Sequence, residues 1–188
     1  MLRAVLASLI AAALMFVWGF TFWMFGPLPK VMMKPAPDEA ALLSTLRNTL
    51  TESGVYTLPH CPNGNPDASE ADKEAAMKRM ESGPIVAVFY HKGGHGGLTT
   101  FGLGFVHMLA SSLFASLLLT LASPGLKTFG ARWLFVALLG VFASFAIHLA
   151  MPIWMMHPWE FWLGFTAQET VAWALAALPL AALVRPRD

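Results

Sequence analysis

Charged residues are scarce in this sequence. Only 12% of its 188 residues are Asp, Glu, Lys or Arg, whereas 56% are hydrophobic, and ordinary soluble domains carry about twice that share of charge. No charged residue lies between Lys92 and Lys127 or between Arg132 and Glu160. Apolar stretches of this length predict membrane-spanning helices, so the lipid bilayer is the first expected partner. The net charge of +1 provides no basic surface, and we expect no nucleic-acid partner.

Cysteine and catalytic motifs are also nearly absent. The one cysteine, Cys61, excludes a disulfide within the chain. The sequence contains no nucleophile elbow, phosphate-binding loop, His-Glu-x-x-His helix or Cys-x-x-Cys pair. These absences favour a protein that is not an enzyme, without deciding the question.

The apolar stretches predict four transmembrane helices. We interpret the first as a retained anchor, because the apolar run continues past Ala11, Ala12 and Ala13, where a signal peptide would be cleaved. The last predicted helix is unusual, because it carries Gln168 and Glu169 inside its apolar run. The predicted helices cover 2–26, 100–122, 133–150 and 161–184.

The predicted fold class is an all-α membrane protein with a small extracytoplasmic α/β insertion between the first two membrane helices. Residues 1–26 form the first helix, residues 27–99 form the insertion, and residues 100–188 form the other three membrane helices. Because a polar segment between two spans cannot stay in the hydrocarbon, the insertion is expected to be a separate domain.

The insertion is predicted to contain two helices and two strands. Asp38 and Ser69 are good N-cap residues, and Gly54 is expected to close the first helix. Because a helix lies between the two strands, we predict a parallel strand pair with a right-handed crossover. In chain order the helix, strand, helix and strand are predicted near 38–54, 54–58, 69–81 and 85–90.

Basic residues flank the predicted membrane helices mainly at one end. Positive residues favour the cytoplasmic side of short loops, and the opposing turn, 151–160, has no Lys or Arg. We therefore expect both termini to be cytoplasmic and the insertion to be periplasmic, in a multi-pass protein of a bacterial inner membrane. The basic residues at that end are Arg3, Lys127, Arg132, Arg185 and Arg187.

Several short motifs resemble those of a group of uncharacterised bacterial integral membrane proteins. The matching residues are Trp18-Gly19, Pro27-Leu28, Met33, Pro37-Asp38-Glu39, Gly54-Val55-Tyr56 with Pro59, Gly83-Pro84 and Tyr90, followed by Glu169 in the last helix. The resemblance spans most of the chain and implies the same membrane topology. The group has no established activity, so the resemblance implies none here.

One predicted site lies within the membrane. Three of the predicted helices each carry a stripe of small or polar residues that includes one ionisable group. At about 1.5 Å of rise per residue, His107, His148 and Glu169 fall at similar depth and are expected to meet. The stripes consist of Gly104, His107 and Ser111, then Gly140, Ser144 and His148, then Thr166, Glu169, Thr170 and Trp173.

Three interpretations of this intramembrane set compete. The small and polar residues can serve helix packing alone. Two histidines and a carboxylate can instead bind a transition metal such as zinc or iron. In the third interpretation, His107 and His148 ligate a haem, or they form a proton or quinone site with Glu169.

A second candidate site lies in the insertion. If the two strands are parallel, their ends bring His60 and Cys61 close to His91, with His95 within reach on a glycine-rich arm. One thiolate and three imidazoles suit zinc or copper. Their spacing matches no standard zinc motif.

The sequence therefore favours a non-enzymatic integral membrane protein, an accessory or scaffold subunit of a larger membrane or envelope complex. Its expected partners are other membrane-protein subunits. The alternative is a metal- or haem-binding redox subunit, or a quinone-linked one, that uses His107, His148 and Glu169.

Overall fold

The computed structural model describes residues 2–60 and 67–185. These residues form helices and one small two-stranded sheet. In chain order the elements are α1 (Leu2–Phe25), α2 (Leu28–Met32), α3 (Glu39–Thr49), β1 (Gly54–Leu58), α4 (Glu70–Ser82), β2 (Val86–Tyr90), α5 (Leu98–Ala122), α6 (Phe129–His148), α7 (Ala150–Trp154) and α8 (Trp159–Leu183).

The chain divides into two compact units. One unit joins Met1–Lys34 to Gly96–Asp188, and we call it the helical unit. The other comprises Pro35–His95, and we call it the polar unit. Each is described by itself below.

The helical unit contains the membrane-compatible segments. Among the described residues, three helical segments are long and apolar enough to cross a membrane. They are Leu2–Phe25, Leu98–Ala122 and Phe129–Trp154, and the last of them is formed by α6 and α7. This confirms the prediction of a membrane protein. The structure adds two short helices that were not predicted. Helix α2 follows the first predicted membrane helix, and α7 lies mostly in the predicted turn at 151–160.

Helix α8 lies at the centre of the helical unit. It packs mainly against α1 and α6 and also touches α2, α5 and α7. Its buried residues recur every four positions, as expected for one helical face. Helix α8 carries Gln168 and Glu169 inside its apolar run, and the surrounding helices partly cover these two residues. Along this face lie Gly164, Gln168, Ala172, Ala176 and Leu180.

Small residues form the helix contacts. Helix α1 buries alanines and a serine toward its neighbours, and α6 does the same with Gly140 and Ser144. Small side chains let helix backbones approach closely, which is how helices associate where there is no hydrophobic driving force. A Cβ added at Gly140 would overlap the Trp173 side chain of α8, so the α6–α8 approach depends on this glycine.

Four of the six Lys and Arg residues described in the helical unit, Arg3, Lys127, Arg132 and Arg185, lie at one end, whereas Lys30 and Lys34 lie in and after α2, beyond the end of α1. The Ser8 hydroxyl of α1 donates to the Ser112 carbonyl of α5 over 3.2 Å, which places the start of α1 beside the second half of α5. Arg132, at the start of α6, is buried and donates from Nε to the Ala181 carbonyl over 2.9 Å, near the end of α8. Arg132 Nη1 also donates to the Leu126 and Lys127 carbonyls, at 3.1 and 3.0 Å.

The polar unit follows the predicted caps. The Asp38 carboxylate accepts from the Ala41 amide over 2.9 Å, and the Ser69 hydroxyl accepts from the Asp72 amide over 3.2 Å. Both predicted N-caps are therefore confirmed. The first helix of this unit, α3, ends at Thr49 rather than at Gly54, which instead begins β1. Residues 50–53, which are neither helix nor strand, separate α3 from β1.

The predicted parallel pairing of the strands is wrong. Strands β1 and β2 are antiparallel, with Gly54 opposite Tyr90 and Leu58 opposite Val86. A parallel crossover needs a helix that covers the sheet with an apolar face. Helix α4 offers none, since Ala76 is its one buried residue. The chain between the strands is thus a long connection, and the crossover rule does not apply to it.

The polar unit lacks a hydrophobic core in its described residues. No residue of α3 is buried, and α3 and α4 pack against no other described element. The two strands contact each other, but both faces of the pair remain largely exposed. An isolated two-stranded sheet is marginally stable at best. This unit therefore has little internal packing to hold it together.

Candidate functional site

The three predicted intramembrane residues line one cavity. The cavity has a volume of about 300 Å³ and lies among α1, α5, α6 and α8. His107, His148 and Glu169 each contribute to the lining from a different helix, and that they form a binding site stays a prediction. We call this the polar cavity; it is lined by Met15, His107, Met108, Ser111, Ala143, Ser144, Ile147, His148, Gln168, Glu169, Ala172 and Trp173.

Helix α6 supplies one wall through its predicted stripe. Gly140 and Ser144 are buried, and His148 follows one turn later, at the end of the helix. The His148 ring packs against Trp162 and Phe165, with ring centroids 5.7 Å away in both cases. Its Nδ1 atom is buried and has no hydrogen-bond partner among the described residues. The aromatic contacts fix the ring while leaving this nitrogen unused.

Helix α5 supplies the opposite wall, but not as a packed stripe. Its buried residues are Ser112, Ala115, Ser116 and Leu119, which face α1. His107 is exposed, and a Cβ added at Gly104 would meet nothing within 4 Å. The contact of α5 with α1 is therefore made by a different face from the one that carries this stripe. The small face of α5 turns toward the small residues of α1, which leaves His107 and Ser111 at the cavity.

Helix α8 forms the back of the polar cavity. Gln168 is 5% exposed, and its neighbour Glu169 is half-buried. The Trp18 indole of α1 donates to the Gln168 carbonyl over 3.0 Å, which ties α1 to α8 at this level. Sequence reasoning did not include Gln168 in the site. The available signal was its place in the four-residue spacing from Gly164 to Ala172.

A second cavity adjoins the first. It has a volume of about 330 Å³ and lies among α1, α5 and α8. It shares Met108, Gln168 and Glu169 with the polar cavity, but its other walls are mostly aromatic. We call this the aromatic cavity; the residues not shared with the polar cavity are Phe16, Gly19, Phe20, Trp23, Met24, Phe101 and Phe165.

The predicted site in the polar unit loses its structural premise. In the antiparallel pair, His60 follows the end of β1, where β2 begins, whereas His91 and His95 follow β2 at the other end. A five-residue ladder separates these ends by roughly 15 Å. The His91 imidazole instead lies 2.9 Å from the Gly93 carbonyl. Cys61 lies outside the described residues.

A preformed metal centre is not present in the part of the chain that the structure describes. No group of three or more His, Cys, Asp or Glu side chains there is arranged to hold a metal ion. This statement includes His107, His148 and Glu169. These residues share a cavity without converging on one point, so a metal bound there would require them to move together.

The polar cavity can offer both donors and acceptors of hydrogen bonds. A neutral imidazole has one of each, an amide has two donors and a carbonyl, and a carboxylate accepts. Such groups are costly in hydrocarbon unless they are paired or serve a function.

Comparison with known proteins gives no assignment: no protein-family model matches the chain, and no curated protein or solved structure is detectably similar to it.

Proposed function

We propose that this chain is a non-enzymatic accessory or scaffold subunit of a larger complex in a bacterial inner membrane. The observation that carries the proposal is that the described residues of the polar unit form no hydrophobic core. A folded segment of this size buries apolar surface somewhere, because burial is the main term that offsets the entropy of ordering the chain. A neighbouring subunit would supply the missing surface.

Helix α3 has the surface through which such a subunit would bind. Its leucines at positions 42, 43, 46 and 50 recur at helical spacing on one face. Leu42 and Leu43 are 50% and 41% exposed. An amphipathic helix that lays its apolar face into a groove is a common mode of protein recognition.

A protein partner suits α3 better than the bilayer surface does. Helices that lie on membranes carry many Lys and Arg residues on their polar face. Helix α3 has one basic residue, Arg47, and one acidic residue, Glu39, after the acidic cap Asp38. It therefore lacks the charge that would attract it to anionic lipids.

In this proposal α8 is a fourth transmembrane helix and the polar unit is periplasmic. The 25 residues of α8 are enough to span a hydrocarbon core about 30 Å thick. Its central position in the bundle supports the assignment, because the neighbouring helices cover its polar residues. The clustering of Arg3, the 127–132 segment and Arg185 at one end supports a cytoplasmic location for that end.

The proposal is tested by photo-crosslinking in native membranes. A benzophenone amino acid replaces Leu43 in one variant, and Asn48, on the opposite face of α3, in the control. We expect a discrete protein adduct from position 43 and none from position 48. The adduct should disappear when Leu42 and Leu46 are both changed to serine.

Three results would contradict the proposal. Position 43 could give no protein adduct, it could react with lipid alone, or positions 43 and 48 could give the same adducts. The first two results leave α3 without a protein partner. The third shows that the apolar face makes no specific contact.

The alternative function, a redox or quinone-linked subunit, is favoured by a different observation. The intramembrane residues His107, His148 and Glu169 line one cavity. The two imidazoles and the carboxylate offer hydrogen-bond donors and acceptors, which suit a polar organic ligand.

A further inference from the structure

The polar side chain of His107 lines the polar cavity and is only partly covered by the chain itself. Helix α5 is one of the membrane-compatible segments, and His107 lies nine residues after its first residue, Leu98. That spacing corresponds to roughly 13 Å along the helix axis. The side chain is exposed, and at this depth an exposed imidazole faces hydrocarbon. A polar group that covers it would lower the free energy of the bundle.

The polar cavity opens beside this histidine. Helix α5 packs chiefly against α1 and has few contacts with α6 and α8. A gap therefore remains between His107 on α5 and His148 on α6, with Gln168 and Glu169 behind it. A molecule dissolved in the bilayer can reach these polar groups through the gap without crossing the protein.

The depth of the site excludes an ordinary phospholipid headgroup. Glu169 is eight residues after position 161, where the predicted membrane span begins, or roughly 12 Å along the helix. Half of a hydrocarbon core about 30 Å thick is roughly 15 Å. The occupant must therefore be a membrane-soluble molecule whose polar group resides inside the hydrocarbon.

The side chains specify that polar group further. Gln168 is almost fully buried and offers amide donors, and the His148 imidazole lines the same cavity. The aromatic cavity meets the polar cavity at Gln168 and Glu169. Aromatic walls favour a flat ring or a hydrocarbon chain, and the donors favour carbonyl oxygens on that ring.

We propose that the polar and aromatic cavities together form a binding site for an isoprenoid quinone. His107, His148 and Gln168 hydrogen-bond the ring oxygens, and Glu169 accepts from a hydroxyl when the ring is in its quinol form. The hydrocarbon part lies against the aromatic cavity. Each of the two cavities has a volume of about 300 Å³ or slightly more, at the lower end of the range of small-molecule pockets.

Binding is measured on the purified full-length protein in lipid nanodiscs. The probe is decylubiquinone, and the readout is quenching of tryptophan fluorescence, since Trp173 and Trp23 line the two cavities. We expect saturable quenching that decylbenzene, which has the chain without the oxygens, does not compete away. His148→Phe combined with Gln168→Leu should weaken binding by about tenfold or more, because hydrogen-bond partners are lost.

Two further variants keep the test interpretable. Thr21→Val removes a polar group from the wall of a different cavity, where Thr21 bonds its own helix, and it should bind like the wild type. His148→Gln in the Gln168→Leu background retains a donor and should restore part of the affinity lost in the double variant. If the double variant of His148→Phe and Gln168→Leu binds decylubiquinone as the wild type does, or decylbenzene competes equally, the site is not a quinone site.

A last control separates this proposal from a protein partner. A benzophenone amino acid that replaces Leu103, one turn before His107 and exposed, keeps His107 in place and should form an adduct with a quinone in native membranes. A polypeptide adduct would overturn the proposal, because another subunit would then cover His107. The inference rests on the membrane assignment but not on the α3 interface, and the nanodisc assay contains no partner subunit, so the two proposals can fail separately.

Discussion

Gly140 controls how closely α6 and α8 approach. Any side chain at this position would overlap Trp173, and overpacking of this kind costs about 1–3 kcal/mol. We expect Gly140→Ala to lower the thermal unfolding temperature in detergent, even though alanine is about 1 kcal/mol the better helix former.

Gly104→Ala is the matched control, because nothing lies within 4 Å of an added Cβ there. This variant should be unchanged or slightly more stable. Equal effects of the two substitutions would show that α6 and α8 are not in the described contact.

Arg132 links three segments at the basic end of the helical unit. Its guanidinium donates to the carbonyls of Ala181, Leu126 and Lys127. A cation near a helix C-terminus also offsets the helix dipole. Arg132→Met should reduce the free energy of unfolding by about 1–3 kcal/mol for each buried acceptor left unpaired.

The control for this substitution is Lys127→Met. Lys127 is exposed, so its loss should change the unfolding free energy by no more than about 0.5 kcal/mol. Denaturant titrations of both variants give the comparison. An Arg132 variant as stable as the Lys127 variant would contradict the role assigned to the guanidinium.

At the scale of an element, α4 is held at its start by a reciprocal cap. The Ser69 hydroxyl donates to the Asp72 carboxylate over 2.6 Å, and the Ser69 amide does so over 3.3 Å. The hydroxyl and then the amide lower the pKa of Asp72 below its usual value. Because the folded pKa is lowered, the cap stabilises α4 above about pH 3.9 and is lost as the pH falls through the folded pKa.

Ser69→Ala should therefore bring the pKa of Asp72 back toward its usual value. The measurement is the carboxyl carbon shift of Asp72 in isotope-labelled full-length protein as a function of pH. A titration midpoint unchanged by the substitution would contradict the cap. The effect on overall stability should be small, since the whole cap is exposed.

The elements also show where sequence patterns suffice. Long apolar runs and N-caps are local, so the helix positions and the roles of Asp38 and Ser69 followed from the sequence. The face by which a uniformly apolar helix packs is not local. Packing was one interpretation of the stripe through His107, whereas α5 turns Ser112 and Ser116 to α1.

Strand pairing failed for a related reason. The direction of β2 relative to β1 depends on whether the intervening helix covers the sheet, and α4 does not. The outer histidine site was inferred from that direction and lost its premise with it. The other predicted set depended only on depth along rigid helices, and His107, His148 and Glu169 line one cavity; that they bind a ligand stays a prediction.

At the scale of the whole molecule, charge explains the organisation. The long apolar segments are nearly uncharged, and the described charged residues lie mostly in the polar unit or at the basic end of the bundle. In the proposed topology the basic end faces the cytoplasm. The polar unit would then meet its partner in the periplasm, while the two cavities are reached from the bilayer.

The location of residue 61 tests this account most directly. Cys61 is the one cysteine of the chain, so the natural protein can be probed in intact cells with a membrane-impermeant maleimide. The control moves the thiol to the last residue of the sequence by combining Cys61→Ser with Asp188→Cys. We predict that Cys61 is labelled before the inner membrane is permeabilised and that the control is labelled only afterwards. Labelling in the reverse order would place the polar unit in the cytoplasm and contradict the proposed topology.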